Sequence, residues 1–402
     1  MRLPLALSLP VLVLGLLVDW YICRAIWLRC HTGRRWWMAL AVGTSVLFGG
    51  GMLALSFIPK TTLGEDSLFT IMWCLFVYLS VYIPKYIFVA FDLAGKIPVL
   101  WHGRRLKWPG RAGIGVGVAL FVVLWWGAAV DRYSIDVREQ VFVNDRLPEV
   151  FDGLRIAQIS DLHVGTFGHD TAFVSELVQR VNALNPDIIV FTGDIVNRHT
   201  DELPPFAPVL AGLDAPLGVY SILGNHDYGD YYHWDSAADK ADNRRRLEDI
   251  QRSMGWQLLN NSTALIAQGG DTLALIGVEN IGDPPFPIYG DLDAAYDGDL
   301  DDERFKILLS HNPAHWEADI ADAPDKNIAL TLAGHTHAMQ VEIGGWSPAA
   351  WRYRYWSGMY ADADSSHHLY VNIGCGEVGI PARIGARPEI TLFTLRRQPS
   401  LP

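Results

Sequence analysis

The sequence predicts two dissimilar parts in one chain: an all-α bundle of transmembrane helices, then a layered α/β domain. Three observations carry this. Half of the 402 residues are hydrophobic and the mean hydropathy is +0.14, high for a water-soluble chain. Residues 1–130 hold 12 Lys and Arg against 4 Asp and Glu, whereas residues 131–402 hold 20 against 40, so a basic part precedes an acidic one. Within the acidic part, short apolar runs alternate with helical stretches, the pattern of stacked α and β layers.

The charge division fits a membrane anchor with basic cytosolic loops joined to a domain in water, and it argues against nucleic acid as a partner of the acidic part. Of the cysteines Cys23, Cys30, Cys74 and Cys375, only the last lies in that part. Neither a disulfide framework nor a Cys-x-x-Cys zinc site is available to it.

Four apolar stretches, about 3–22, 36–58, 67–89 and 114–130, each approach the roughly 20 residues that a bilayer-spanning helix needs. A cleaved signal peptide over Leu3–Val18 is the alternative for the first, but no small-x-small site follows it. The first connection carries Arg24, Arg29, Arg34 and Arg35, and the third carries Lys96, Arg104, Arg105, Lys107 and Arg111. The second, with Lys60, Glu65 and Asp66, is nearly neutral. The positive-inside rule puts the first and third connections in the cytosol and the acidic domain on the opposite side. Asp19 and Asp92 stand near stretch ends and are expected in the headgroup zone. Lys85, after Pro84, is the one interior charge and reads as a helix break or a lipid phosphate contact.

Residues 131–153 read as a linker that ends in the extended run Leu147–Gly153. Strands are expected at Leu154–Ile159, Asp187–Phe191, Gly218–Ile222, Leu273–Val278, Lys306–Leu309, Ile328–Ala333, Leu369–Ile373 and Ile390–Leu395. Between the first two, Phe173, Leu177, Val181 and Leu184 recur at helical spacing, and Asn185-Pro186 ends that helix.

Chemistry gathers just beyond the strand ends, where α/β sheets bind ligands. Asp161-Leu162-His163 follows the first strand, Gly193-Asp194 the second and Gly224-Asn225-His226-Asp227 the third. His311 follows the fifth, and Gly334-His335-Thr336-His337 the sixth. A lone Asp-x-His or Asn-His-Asp is usually an ordinary hydrogen-bonded turn. Five such clusters just beyond strand ends form a metal-site inventory, centred on Asp194, whose two carboxylate oxygens can bridge two cations.

This ordered set resembles the calcineurin-like metallophosphoesterase superfamily over about Leu154–Leu395, and the flanking sequence is similar to its bacterial membrane-attached branch. The resemblance implies a four-layer α/β/β/α metallophosphoesterase sandwich, with the catalytic domain at 154–397, and two divalent ions of manganese, zinc or iron. One ion would be held by Asp161, His163, Asp194 and His337, and the other by Asp194, Asn225, His311 and His335. One departure is Ala338-Met339-Gln340, where many relatives have Gly-Gly-Gln; it spares the ligands and alters the pocket wall. The aromatic stretches Tyr228–Trp234 and Trp346–Trp356, the latter with Arg352 and Arg354, read as rims of the substrate cleft or as contacts with the bilayer surface.

Two ions of this kind acidify a bridging water and align it on phosphorus. His226 is expected to act as general acid, with Asp227 fixing its tautomer. The expected function is hydrolysis of a phosphate ester or pyrophosphate, of a lipid or lipid-linked molecule, at the outer face of a bacterial plasma membrane. The alternatives are a tethered phosphatase for soluble nucleotide or protein substrates and a non-hydrolytic receptor or transporter. The full ligand set together with His226 favours hydrolysis.

Overall fold

The computed structural model describes residues 5–57, 67–282, 287–296, 302–323 and 325–398. Lys60, Glu65 and Asp66 of the second connection lie outside them. The chain divides into a helical unit, residues 1–129 with Gly379–Ala382, and a second unit, Val130–Val378 with Arg383–Pro402.

The helical unit contains α1 (Leu5–Arg29), α2 (Arg34–Phe57), α3 (Ser67–Ala94) and α4 (Trp108–Ala129), all long and apolar enough to cross a membrane. Three run past the expected stretches because charged and polar residues continue the helix and find partners. Arg29 at the end of α1 binds Asp92 near the end of α3 through two bonds of 2.8 and 2.9 Å, and Arg105 binds the same carboxylate at 2.6 Å. Asp19 is buried and accepts from Lys85 Nζ at 2.8 Å and from Tyr82 Oη at 2.7 Å. Lys85 therefore pairs within the bundle, as intramembrane charges must to offset desolvation. Between α3 and α4 the small residues set the distance, since a Cβ on Gly113 would come 2.7 Å from Phe91 Cβ.

The second unit is built on two six-stranded sheets. The first has the order β1-β12-β2-β3-β4-β5, with β1 (Asp136–Asn144), β2 (Arg155–Ile159), β3 (Ile188–Phe191), β4 (Val219–Ser221), β5 (Gln257–Leu258) and β12 (Glu389–Arg397). The second has the order β10-β11-β9-β8-β7-β6, with β6 (Ser262–Gln268), β7 (Asp271–Gly277), β8 (Phe305–Leu309), β9 (Leu330–Ala333), β10 (Gly358–Ala361) and β11 (His368–Val371). β2, β3, β4 and β5 are parallel, as are β7, β8, β9 and β11. All four residues of β3 and of β9 are buried, which is why these strands are unbroken apolar runs.

The sheets stack face to face through a core that includes Ile156, Ile188, Val190, Leu273, Ile307 and Leu332. On the outer face of the first sheet lie α5 (Ala172–Ala183), α6 (Ala207–Leu210) and α7 (Ala237–Ser253); on that of the second lie α8 (Leu292–Ala295) and α9 (Ala314–Asp319). The result is the four-layer α/β/β/α arrangement.

Residues 136–144, expected within the linker, form β1 instead. Their alternation is inverted: Val137, Val141 and Val143 face out, while Arg138 turns inward to Glu389 at 3.1 Å and Glu342 at 3.6 Å. Helix α7 was likewise hidden from apolar periodicity, because its buried residues are Asn243, Leu247 and Gln251. Its start is set by Ser236, whose side chain accepts from the Asp239 N–H.

The second unit also buries an ion pair, Arg132 Nε to Glu377 Oε1, at 3.1 Å. Removing one partner strands the other charge in a dry interior. Arg132→Met is expected to cost about 3–5 kcal/mol of stability, and adding Glu377→Leu to recover most of it, as read by thermal unfolding of the solubilised chain.

Candidate metal centre

Five strand ends deliver the polar residues. The turns after β2, β3 and β4 bring Asp161 with His163, Asp194, and Asn225 with His226; those after β8 and β9 bring His311, and His335 with His337. Such turns leave the sheet abruptly, and five of these residues adopt a left-handed backbone: Asp161 (φ 52°), His163 (45°), Asp194 (60°), His335 (76°) and His337 (50°). Each is an unfavourable conformation for a side chain with a Cβ, and such conformations cluster at functional sites. Two glycines allow the loops to close on one another. A Cβ on Gly193, itself at φ 94°, would lie 2.6 Å from Gly224 N and 2.9 Å from His311 Nδ1, and a Cβ on Gly224 would overlap the Asp194 carboxylate.

The donors gather in two groups, Asp161, His163 and His337, and Asp194, His311 and His335. In the first, His163 Nε2 is 3.1 Å from His337 Nε2, which is 3.3 Å from Asp161 Oδ1. In the second, His311 Nε2 is 3.2 Å from Asp194 Oδ2 and 3.0 Å from Asn225 Oδ1. His335 Nδ1 is 2.9 Å from the same Asn225 oxygen and 3.3 Å from His311 Nε2. Asp194 Oδ2 is also 3.5 Å from His163 Nε2, so one carboxylate oxygen touches both groups.

These spacings fit divalent ions. Nitrogen and oxygen ligands at about 2.0–2.1 Å from a cation stand roughly 3.0–3.4 Å from each other around it. The mix of imidazole, carboxylate and amide suits manganese, zinc or iron without selecting one. Neighbours aim the rings: His311 Nδ1–H donates to Thr192 O at 2.8 Å and His163 Nδ1–H to Val196 O at 3.2 Å, which turns both Nε2 atoms inward. Asn225 Nδ2 donates to Tyr231 Oη at 2.8 Å, turning its oxygen to the imidazoles.

Burial by itself would raise both carboxyl groups. The His337 imidazole beside Asp161, and those of His311 and His226 around Asp194, outweigh it and hold both well below the ordinary carboxylate range. For His311, burial works downward, but the Asp194 carboxylate prevails and lifts it to about 9. Burial and the neighbouring His311 push His335 down to about 3. Two fixed anions therefore face a set of imidazoles, the electrostatic arrangement of a cation site.

His226 and Asp227 divide differently from expectation. The His226 Nδ1–H donates to Asn197 O at 2.6 Å, and its ring stacks on Tyr231 at 4.2 Å. Asp227 does not fix that tautomer. Its carboxylate accepts four backbone N–H groups, from Asp194 (2.8 Å), Ile195 (3.0 Å), Val196 (3.2 Å) and Gly224 (2.9 Å). Burial and the Asp194 carboxylate push this group up to about 7, but with four donors it is saturated, and its work is to clamp the turn that carries Asp194.

Three residues beyond the sequence expectation reach the site: Asn197, Tyr231 and Tyr353. Tyr353 Oη lies 3.4 Å from His335 Nε2, and Tyr231 and Tyr353 belong to the aromatic stretches expected at the cleft rim. Asn197 contributes through its carbonyl, and a backbone contact carries no residue signature.

Two families match the sequence: Calcineurin-like phosphoesterase over residues 154–339, and Probable Calcineurin-like phosphoesterase, transmembrane domain, over residues 1–132. The chain is 30% identical to the uncharacterized metallophosphoesterase YkuE of Bacillus subtilis (strain 168), over 71% of this chain and 91% of that one. It is 29% identical to the transmembrane protein with metallophosphoesterase domain of Danio rerio, over 90% of this chain and 81% of that one. It is also 29% identical to the UDP-2,3-diacylglucosamine pyrophosphatase LpxG of Chlamydia trachomatis serovar D, over 64% of this chain and 89% of that one.

Asp227→Ala orphans four buried donors at once. It is expected to lower stability by at least about 3 kcal/mol in thermal unfolding and to lower metal content, without touching His226.

Proposed function

The chain belongs to the calcineurin-like phosphoesterase family and is a membrane-associated metallophosphoesterase, and from that premise we propose that it cleaves a phosphate ester or pyrophosphate of a lipid or lipid-linked molecule. The observation that carries the reading is the contact of Asp194 Oδ2 with a histidine of each donor group, 3.2 Å to His311 and 3.5 Å to His163. A carboxylate so placed suits a pair of ions about 3.5–4 Å apart, the usual separation in hydrolytic two-metal sites. Asp161, His163, Asp194 and His337 would hold one ion, and Asp194, Asn225, His311 and His335 the other.

Such ions, when bound, neutralise phosphoryl oxygens and lower the pKa of water. The chain's own part is positional and protonic. The turns at Gly193 and Gly224 bring Asp194 within reach of residues from both sheets. His226, with Nδ1 engaged by Asn197 O, has Nε2 left to give a proton to the leaving oxygen, and stacking on Tyr231 holds the ring for that transfer.

Two further facts support a lipid substrate. The relative from Chlamydia trachomatis is described as a UDP-2,3-diacylglucosamine pyrophosphatase, and α4 ends at Ala129 only a few residues before β1 begins at Asp136. The basic residues Arg34 and Arg35 before the second span, and Lys96, Arg104, Arg105 and Lys107 before the fourth, favour a cytosolic side for those connections. The catalytic unit would then face the periplasmic or extracellular side of a bacterial plasma membrane. A soluble nucleotide or protein phosphate is the competing substrate. Comparing turnover of vesicle-borne and water-soluble phosphoesters by the full chain decides between them: preference for the soluble ester would overturn the lipid assignment.

Two substitutions separate the roles. Asp194→Ala is expected to abolish activity together with metal retention, measured by elemental analysis. His226→Ala is expected to keep the metal and lose about 10²–10⁴-fold in kcat; retention of full activity would remove it from the proton path.

A further inference from the structure

The second unit exposes an apolar surface that is joined to the candidate site at both ends. It begins two residues beyond His337 at Met339, 43% exposed. The chain then forms a two-residue hairpin in which Ile343 and Trp346 exchange backbone bonds of 2.9 and 3.2 Å across Gly344-Gly345. Both glycines have positive φ, 60° and 79°, as the tightest hairpin turn demands. Ser347 Oγ closes the base by donating to Ala338 O at 2.6 Å, and the rings of Trp346 and Trp351 meet edge to face at 5.3 Å. The stretch returns at Tyr353, whose hydroxyl reaches His335.

This braced structure directs its apolar side chains into solvent: Ile343 is 64% exposed, Trp346 46% and Trp351 81%. Scattered exposed apolar residues are ordinary, but a contiguous group with two tryptophans on a rigid tip marks a contact surface. We propose that the Ile343–Trp351 hairpin is a bilayer-interface anchor, which seats the candidate site on the lipid surface so that a membrane-borne phosphate group enters beside Met339 and Tyr353. The anchoring stands independently of the hydrolytic reading; the entry of a lipid phosphate rests on it.

Three observations commit the surface to lipid. Tryptophan is the residue that membrane interfaces favour, with an apolar body and a polar N–H. The six residues between Ala129 and Asp136 keep the start of β1 within about 25 Å of the end of a membrane span, and Arg138 of β1 meets Glu342, beside the hairpin, at 3.6 Å. The charge is also suited. Residues 131–402 carry 40 acids against 20 bases, yet residues 338–356 contain one acid, Glu342, and two bases, Arg352 and Arg354. Glu342 is turned to Arg138 at 3.6 Å, and Arg354 to Glu317 at 3.0 Å. In an acidic unit such a stretch repels an anionic lipid surface little.

The test uses the full chain in vesicles of phosphatidylcholine and phosphatidylglycerol. With Cys23, Cys30 and Cys74 replaced by serine, one nitroxide is placed at Ile343→Cys. Another is placed at Asp364→Cys, on the turn before β11 and so at the end of that strand away from the site. Collision with dissolved oxygen is expected to exceed collision with a water-soluble nickel chelate at position 343 and to reverse at 364. Equal access of the chelate to both positions would overturn the proposal, as would spin–spin broadening at 343, which would assign the tip to a second copy of the chain. In a second arm, the Ile343→Ser/Trp346→Ser/Trp351→Ser variant is expected to lose about tenfold in turnover of a vesicle-borne phosphoester relative to a water-soluble aryl phosphoester. An equal loss on both substrates would overturn the docking role. Absence of turnover by the unmodified chain on the vesicle-borne ester would count against the lipid substrate alone, because the nitroxide reading needs no catalysis.

Discussion

The position of the Asp194 carboxylate is the constraint that the rest of the second unit serves. It is buried, it sits on a left-handed residue, and it stands within 3.2 to 3.5 Å of imidazoles from two different groups. Left alone, a buried anion on a strained turn would move or take up a proton. The Asp227 clamp on the backbone of residues 194–196 and Gly224 prevents the first, and the surrounding imidazoles prevent the second. Cations at this place would complete the neutralisation. The same features explain why the neighbouring loops carry glycine, since at Gly193 and Gly224 even a methyl group would meet backbone or the carboxylate itself.

The two-sheet architecture follows from this requirement. Asp161, His163, Asp194 and Asn225 come from the ends of β2, β3 and β4 in one sheet, and His311, His335 and His337 from the ends of β8 and β9 in the other. Donor groups at hydrogen-bond spacing across two sheets need those sheets held in fixed register. The apolar layer between them, from Ile156 and Val190 to Leu309 and Leu332, supplies that rigidity because close-packed interiors do not deform continuously. Packing and chemistry are thus one design: a cavity between the sheets would be felt first as a misplaced ligand.

Much of this was legible in the sequence, for physical reasons. Buried parallel strands such as Ile188–Phe191 are continuous apolar runs, so their ends, and the polar residues just beyond them, can be located from residue type alone. Less legible are features in which polar residues face inward or the backbone makes the contact. β1 turns Arg138 to the core and its valines to solvent, the reverse of the usual strand. Helix α7 buries Asn243 and Gln251 where leucines would announce a helix. Asp227 and His226 are adjacent in sequence, which suggested a shared task, yet a reversal of direction between neighbours sends one carboxylate into the Asp194 turn and the other ring to the Asn197 carbonyl. In the helical unit, hydropathy located the spans, but the pairing of Asp19 with Lys85 lies 66 positions apart and depends on how the helices pack.

Two ions sharing the Asp194 carboxylate are tested most directly by the electron paramagnetic resonance spectrum of the manganese-loaded full chain. Two Mn²⁺ ions bridged at the short separation of hydrolytic two-metal sites are predicted to give an exchange-coupled multiline signal at two manganese per chain. An isolated six-line spectrum at that loading, from ions that do not sense each other, would contradict that sharing.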